Sequence, residues 1–307
     1  MNLQHLKYAI EVANTSSINK AAENLYMNQP NLSRAIKELE ENIGISIFNR
    51  TSKGISVTEL GGEFLISAKN ILRQVEEIES AYKSNGTPKQ HFSISVPRAS
   101  YISEAFVEFS KKIDRSKAIE FYYKETNAYR AINNILKSGY KLGIIRYRQI
   151  FDDQFRVWLK EKELTAELLY QFSCNVLISK DNELATKNEI DYKELEDFIE
   201  IAHADPYVPS IPLSKVKEEE FSDFIDKRIF VFERATQFSL LNSLSNSFMW
   251  VSPVSKEILD LYNLVEIPCK STKHIYKDMI IKQKDYKLSD LDKLFLTELS
   301  KAKRHSK

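Results

Sequence analysis

The sequence predicts a multidomain chain: an all-α-rich winged helix-turn-helix module, a linker helix, and an α/β domain of two subdomains. Three observations predict it. Three short amphipathic helices and a hairpin pattern fill residues 1–58, and a proline-free stretch from Glu59 to about Lys83 carries near-heptad apolar positions. After Pro88, strand-like and helix-like segments alternate. At 307 residues the chain is long enough for two to three domains.

Leu3, Leu6, Ile10 and Ala13 form one apolar helical stripe, which Asn14-Thr15-Ser16-Ser17 interrupts. Ser17 is the N-cap expected for a second helix, whose Ala21, Ala22 and Leu25 allow a close crossing. Asn28 is placed to cap a third helix, and Pro30 falls in its first turn, where a missing N–H costs nothing. Leu32, Ile36, Leu39 and Ile43 then make the buried stripe of that helix, which Gly44 terminates. Its other face presents Gln29, Asn31, Ser33, Arg34 and Lys37, residue types that bond base edges and phosphates. Ile45–Phe48 and Ile55–Thr58 read as the strands of a hairpin around the tip Asn49–Gly54, with Arg50 and Lys53 as its charges. Such a hairpin is a wing. A bland reading stands beside this one: three amphipathic helices with solvated polar faces give the same pattern, and six Lys/Arg against five Glu leave residues 1–58 at only +1.

Leu60, Phe64, Ala68, Ile71, Val75 and Ile78 recur along the following helix at near-heptad spacing. A seam of that length exceeds what a sixty-residue module buries, so a homodimer interface is expected, with packing on the chain's own later domain as the alternative. A two-fold dimer requires an inverted-repeat DNA site. Ser84–Pro88 is turn chemistry and marks a boundary.

Beyond it, strands are expected at Phe92–Val96, Ile119–Tyr123, Leu142–Ile145, Asn175–Ile178, Phe198–Ala202, Ile229–Phe232, Phe248–Val251 and Leu264–Ile267. Helices are expected at Ser103–Lys112, Ala128–Leu136, Thr236–Leu244, Ser255–Leu261 and Ser289–Lys301. This alternation implies parallel sheets covered on both faces, and too many strands for one small sheet. Ligands of open α/β sheets sit beyond the carboxyl ends of strands. Arg98, Ser100, Thr126, Arg146 and His203 fall there and form the candidate ligand site. Two arginines in one cleft suit a carboxylate or phosphate, unless Glu125 or Asp205 neutralises them. Ser100 is placed to cap the helix beginning near Ser103.

Composition excludes several classes. A balance of 44 Lys+Arg against 43 Asp+Glu gives no global basic excess. Seven glycines, five of them before residue 87, form no phosphate-cradling loop, and no metalloprotease or serine-hydrolase motif occurs. No catalytic residue, metal site or cofactor is therefore expected. Cys174 and Cys269 make no disulfide scaffold; buried inert thiols and a redox pair are the two readings. The charged, amphipathic N-terminus is no secretory signal and no apolar run suits a membrane, so a cytoplasmic location is expected.

One run is more specific than the pattern. Ser17-Ile-Asn-Lys-Ala-Ala-Glu-Asn-Leu25, Asn28-Gln-Pro-Asn-Leu-Ser-Arg34, Leu39-Glu40, Gly44, Phe48-Asn-Arg50 and Val57-Thr58 with Gly61 resembles the N-terminal module of LysR-type transcriptional regulators. The resemblance implies that Gln29, Pro30, Ser33 and Arg34 lie at the DNA and that the wing near Lys53 reaches the minor groove. Ser17, Asn31, Lys37 and Arg50 complete the expected DNA-binding set. Asn28 stands where Ser is usual and Asn31 where Ala is common. It further implies dimerisation through the linker helix, a tetramer built as a dimer of dimers, and RNA polymerase as a further candidate partner. The second domain would resemble type 2 periplasmic binding proteins, with a small-molecule effector between its lobes shifting their orientation. Ser100 and Thr126 match positions where relatives place effector-binding hydroxyls. Relatives carry Gly-x-x-Asp where this chain has Gly139-Tyr-Lys-Leu142, and a glycine-rich turn where it has Ser245–Phe248.

The expected organisation is 1–58 winged module, 59–87 linker helix and hinge, and 88–307 effector domain. Subdomain I would take about 88–168 and 269–307, and subdomain II about 169–268. Two rivals differ in class: another winged-helix regulator with an anion-sensing module, and a metabolic or solute-binding protein that uses its helix-turn-helix to dimerise.

Overall fold

A computed structural model describes residues 2–51, 54–83, 89–203, 205–220, 225–270 and 275–305. Two compact units separate, one of residues 1–90 with 137–139, the other of 91–136 with 140–307. The hinge at Ser84–Pro88 and the wing-tip residue Lys53 lie outside the described residues.

The first unit opens with α1 (Leu3–Thr15), α2 (Ile18–Asn24) and α3 (Gln29–Ile43). Ser17 caps α2 as expected, its side chain accepting from the Lys20 amide at 3.4 Å. Asn28 is the N-cap of α3 by backbone conformation, though its side chain makes no cap bond; Gly44 ends the helix with φ 73°. Leu6, Ala9 and Val12 of α1, Ala21 and Ala22 of α2, and Leu32, Ile36 and Leu39 of α3 bury one another. The wing follows as β1 (Phe48–Thr51) and β2 (Gly54–Val57), antiparallel with Phe48 opposite Val57. The ladder therefore lies three residues later than the expected Ile45–Phe48 strand. The physical reason is competition for the backbone. Glu40 Oε1 accepts from the amides of Ile47 (2.7 Å) and Phe48 (3.0 Å). Thr58 donates from its amide to the Ile47 carbonyl and from its hydroxyl to that of Ser46. Residues 46 and 47 tie the wing to α3 and to the next helix instead of pairing as a strand.

That next helix, α4 (Glu59–Lys83), has the predicted bounds. Gly61 in its first turn packs directly on the Ile47 carbonyl, and a Cβ there would overlap the carbonyl, with the Ile47 carbon and Cα 2.8 Å away. Leu65, Ala68 and Leu72 join the core of α1–α3.

The second unit holds two five-stranded sheets. Its elements run β3 (Gln90–Val96), α5 (Ser100–Lys111), β4 (Ile119–Glu125), α6 (Ala128–Lys137), β5 (Leu142–Arg148), α7 (Asp152–Glu161) and β6 (Leu164–Ser173). They continue as β7 (Asn175–Ser179), β8 (Ile199–His203), α8 (Leu213–Glu220), β9 (Arg228–Val231), α9 (Arg234–Ser243), β10 (Ser247–Val251), α10 (Lys256–Leu261), β11 (Leu264–Ile267), β12 (Ile275–Gln283) and α11 (Asp290–His305). The strand orders are β4-β3-β5-β12-β6 and β11-β7-β10-β8-β9.

Neither sheet is purely parallel, which corrects the expectation from alternation. β3–β5, β8–β9 and β8–β10 are parallel, while β12 runs antiparallel to β5 and β6, and β7 antiparallel to β10 and β11. The antiparallel strands are the crossovers: β6 leads out of the first sheet into β7 of the second, and β12 returns. In the first lobe, Phe92, Ile94 and Ile144 pack on Phe109 of α5 and Phe295 of α11, and Ile145 and Tyr147 pack on Ile132 of α6 and Phe155 of α7. Val208 and Val216 join that second cluster, so the stretch after β8 packs on the first lobe although its flanking strands belong to the second.

Candidate nucleic-acid interface and ligand cleft

The buried stripe of α3 is Leu32, Ala35, Ile36 and Leu39. Its opposite side leaves Gln29, Pro30, Asn31, Arg34 and Lys37 exposed, with Ser33 half-buried. Five of the six residues predicted on this helix thus reach solvent together. Lys37 meets Glu41 at 3.7 Å, with the side chains 73% and 65% exposed, so this pair contributes little and leaves the ammonium available. Ser17 serves the α2 cap from a half-buried position. Arg50 sits in β1 opposite Ile55. Sequence reading passed over Tyr26, 98% exposed in the turn before α3 and left-handed at φ 53°.

The expected α4 seam divides. Leu60 and Ile78 are 58% and 60% exposed. Phe64 and Ile71 are partly packed on the module's own core, and Val75 is half-buried. Ala68 is fully buried among α1–α3, so it is not available to a partner helix, and a spacing of heptad type alone did not distinguish these two destinations.

The five effector candidates line one cavity of about 210 Å³ between the two sheets of the second unit. One water needs only ~10–15 Å³ by this kind of measure, so a small organic molecule has room. Ser100 begins α5, whose N-cap is Ala99, which corrects the expected cap role; the helix starts three residues earlier than predicted. Thr126 is buried and donates its amide to the Val96 carbonyl at 2.8 Å.

The arginines are partnered. Arg146 Nε and Nη2 each reach a carboxylate oxygen of Asp278 at 2.7 Å, and the Tyr101 hydroxyl donates to the same carboxylate at 2.6 Å. Burial opposes the charge on Arg146, but Asp278 more than compensates and raises its pKa. Its guanidinium also lies over the Phe172 ring at 4.7 Å. Arg98 meets Asp205 at 3.8 Å, as the alternative reading anticipated, whereas Glu125 pairs with Arg234 at 3.2 Å. His203 is held neutral: burial, then the charges of Arg98, Arg146 and Arg234, bring its pKa down to about 3. With the Gln237 amide donating to Nδ1 at 3.0 Å, the ring proton sits on Nε2.

Arg148, Arg234, Gln237 and Tyr276 also line the cavity and were missed. Arg148 had a signal: β5 runs to residue 148 and not 145, which puts Arg146 and Arg148 on one face by strand alternation. Asp278 had none, lying 132 residues from Arg146 in sequence and opposite it in the β5–β12 register. Cys174 lines the cavity, and burial pushes its thiol up to about 12, so it is not a reactive thiolate; Cys174 and Cys269 are both free and buried. Among the described residues no cluster fit to hold a metal occurs, and no helix is long and apolar enough to cross a membrane.

Comparisons with known proteins bear on both halves. Residues 3–62 match the family described as bacterial regulatory helix-turn-helix protein, lysR family. The chain is 26% identical over 270 residues to the HTH-type transcriptional regulator AlsR of Bacillus subtilis (strain 168), covering 86% of this chain and 83% of AlsR. It is 37% identical over 76 residues to the regulator TfdT of Cupriavidus pinatubonensis (strain JMP 134 / LMG 1197), covering 25% of this chain and 33% of TfdT. Among solved structures, full-length CbnR complexed with its target DNA has the same fold with a TM-score of 0.63, at 13% identity, covering 98% of this chain and all (100%) of CbnR. A full-length OxyR variant of Pseudomonas aeruginosa gives 0.56 at 16% identity, covering 99% of this chain and 95% of that one. With its matching helix-turn-helix, its exposed α3 face and its two-lobed second unit, the chain resembles the LysR-type transcriptional regulators, whose helix-turn-helix its residues 3–62 match.

Proposed function

We propose that this regulator reads an inverted-repeat operator with α3 of each subunit, dimerises through α4, and responds to a small anion in the cleft. The observation that carries the DNA reading is the exposed polar face of α3 opposite its buried stripe. Arg34 bonds a base edge and Gln29 reads adenine, while Lys37 bonds phosphate. The structure of CbnR with its target DNA supports this reading by fold. Binding to a genomic footprint, followed by gel shift across salt concentrations, tests it. Arg34→Ala is expected to cost about 1–3 kcal/mol at the specific site, and Lys37→Ala to weaken all sequences evenly and flatten the salt slope. An Arg34→Ala protein that footprints like the parent refutes the assignment.

Exposed Leu60 and Ile78 mark the dimer surface on α4. Ile78→Glu places a carboxylate in that interface and should abolish the dimer in sedimentation while leaving the module folded. Ile71→Glu is a poorer test, because Ile71 also packs on the core of its own module. The subunits would assemble further as a dimer of dimers, acting on cytoplasmic DNA beside RNA polymerase.

In the cleft, Ser100, Thr126, Arg98 and His203 converge at strand ends from both lobes. A ligand there bonds one lobe through Arg98 and Ser100 and the other through His203, so it favours one lobe orientation over others. That differential binding would be the signal passed to the DNA-binding units. Arg146 belongs to the scaffold of this site, since Asp278 already occupies two of its three guanidinium nitrogens.

A further inference from the structure

The arginines of the cleft are held in two ways. Arg146 is fixed by Asp278 through two bonds of 2.7 Å, and its remaining nitrogen faces the Arg98 carbonyl at 3.4 Å. Arg98 and Arg148 instead meet the carboxylates of Asp205 and Glu219 at 3.8 Å each, too long for hydrogen bonds. Nε of Arg148 is buried without a hydrogen-bond partner. Buried N–H groups almost always find an acceptor, so this donor is set for one that the described residues do not provide.

Asp205 and Glu219 stand on one stretch. It leaves the second lobe after β8 and lies on the first, with Val208 and Val216 in the cluster of Ile132 and Phe155. The Tyr207 ring is 4.7 Å from Tyr129 and 5.6 Å from Trp158. Asp205 is also reached by Arg130 at 3.3 Å and by Asn127 Nδ2 at 3.2 Å, and the Glu219 carbonyl accepts from Arg148. A single segment of the second lobe thus covers both arginines of the first, with its carboxylates at 3.8 Å from each and a backbone carbonyl bonded to Arg148.

We propose that residues 205–220 are an internal latch, in which Asp205 and Glu219 hold the places on Arg98 and Arg148 that a small dicarboxylate takes. The proposal rests on the cleft being the effector site and adds which arginines are free to bind and what they bind. Arg146 and Arg148 project from one face of β5 two residues apart, about 7 Å along the strand. Arg98 and Arg148 line the same cavity, each 3.8 Å from a carboxylate of the chain, and two such guanidinium groups suit a ligand with two carboxylates. A bidentate carboxylate at hydrogen-bond distance outcompetes a contact at 3.8 Å. With both arginines occupied, Asp205 and Glu219 face an anion in place of a cation, and the latch is repelled from the first lobe.

Titration calorimetry of the full chain with succinate, glutarate and adipate, and with propionate as the single-headed control, tests this. At least one diacid should bind more tightly than propionate, and Arg98→Ala should weaken it. Asp205→Asn and Glu219→Gln, which keep the arginines intact, should each raise diacid affinity about two- to fivefold, the range expected for releasing a partly exposed ion pair. Hydrogen exchange over 206–220 should rise in both variants, and in the parent on adding the diacid. If diacids bind and Ser100→Ala weakens them, but Asp205→Asn and Glu219→Gln leave affinity unchanged or lower, the latch is wrong and the effector site stands. Propionate binding as tightly as the diacids, or exchange unchanged in both variants, also overturns the latch. If none of the four acids binds the parent or either variant, the latch and the anion site fall together.

Discussion

Replacing Asp278 with asparagine should destabilise the second unit by about 3–5 kcal/mol, the cost of leaving one partner of a buried ion pair uncompensated. Asp278 is fully buried and accepts three hydrogen bonds, two from Arg146 and one from the Tyr101 hydroxyl. The asparagine amide group has similar shape but no charge, and one of its ends presents N–H donors to a guanidinium that has only donors. The double variant Arg146→Met with Asp278→Leu should recover most of the loss, because exchanging a whole buried pair for apolar groups is often neutral or stabilising. Denaturant unfolding of the parent, Arg146→Met, Asp278→Leu and their double variant closes the double-mutant cycle that measures the coupling. A loss below about 1 kcal/mol in Asp278→Asn would mean that water in the cleft already compensates Arg146. Operator binding by the first unit should persist in all four.

Gly61→Ala should do the converse, damaging the first unit and sparing the second. Its Cβ would overlap the Ile47 carbonyl, and the obstacle is backbone, which no rotamer change relieves. Overpacking of this kind costs about 1–3 kcal/mol or somewhat more. The same few residues hold the wing. Thr58 accepts from the Gly61 amide at 2.9 Å while donating to the Ser46 carbonyl, and Glu40 holds the Ile47 and Phe48 amides. Pushing α4 away from Ile47 therefore shifts the wing against α3, so operator affinity should fall further than thermal stability alone accounts for. A Gly61→Ala protein with parental melting and operator affinity would show that α4 can back away at no cost. The Leu39-Glu40 and Thr-x-x-Gly parts of the motif thus have a physical reason that sequence resemblance did not supply.

The first unit was legible because its information is local. Apolar stripes at helical spacing, Ser17 as a cap, Pro30 in a first turn and Gly44 at a C-terminus each act within a few residues, and each stands where it was expected. The first wing strand lies three residues later than expected and the second one residue earlier, because the register depends on Glu40 and Thr58, which reach the wing from α3 and from the start of α4. The α4 bounds followed from periodicity, whereas which of its apolar residues face the unit's own core did not. Ala68 and Leu60 look alike in a heptad count, yet one is buried among α1–α3 and the other is exposed.

In the second unit the sequence by itself determined most strands, the two-lobed α/β class, and a set of cavity-lining residues: Arg98, Ser100 and Thr126 lie just beyond strand ends, while Arg146 and His203, expected there too, lie in the last residues of longer strands. Tertiary structure alone decided what those residues do. Arg146 and Arg148 are two positions apart on one strand, but the β5–β12 register sets Asp278 opposite the first and Tyr276 opposite the second. One arginine is consequently locked into the scaffold, while the other lines the cleft with its buried Nε lacking a hydrogen-bond partner among the described residues. Likewise, nothing in the order of residues 205–220 shows that they lie across onto the first lobe. Charge pairing and cross-lobe packing act through space between segments far apart in the chain, and a pattern read along the chain contains only neighbours.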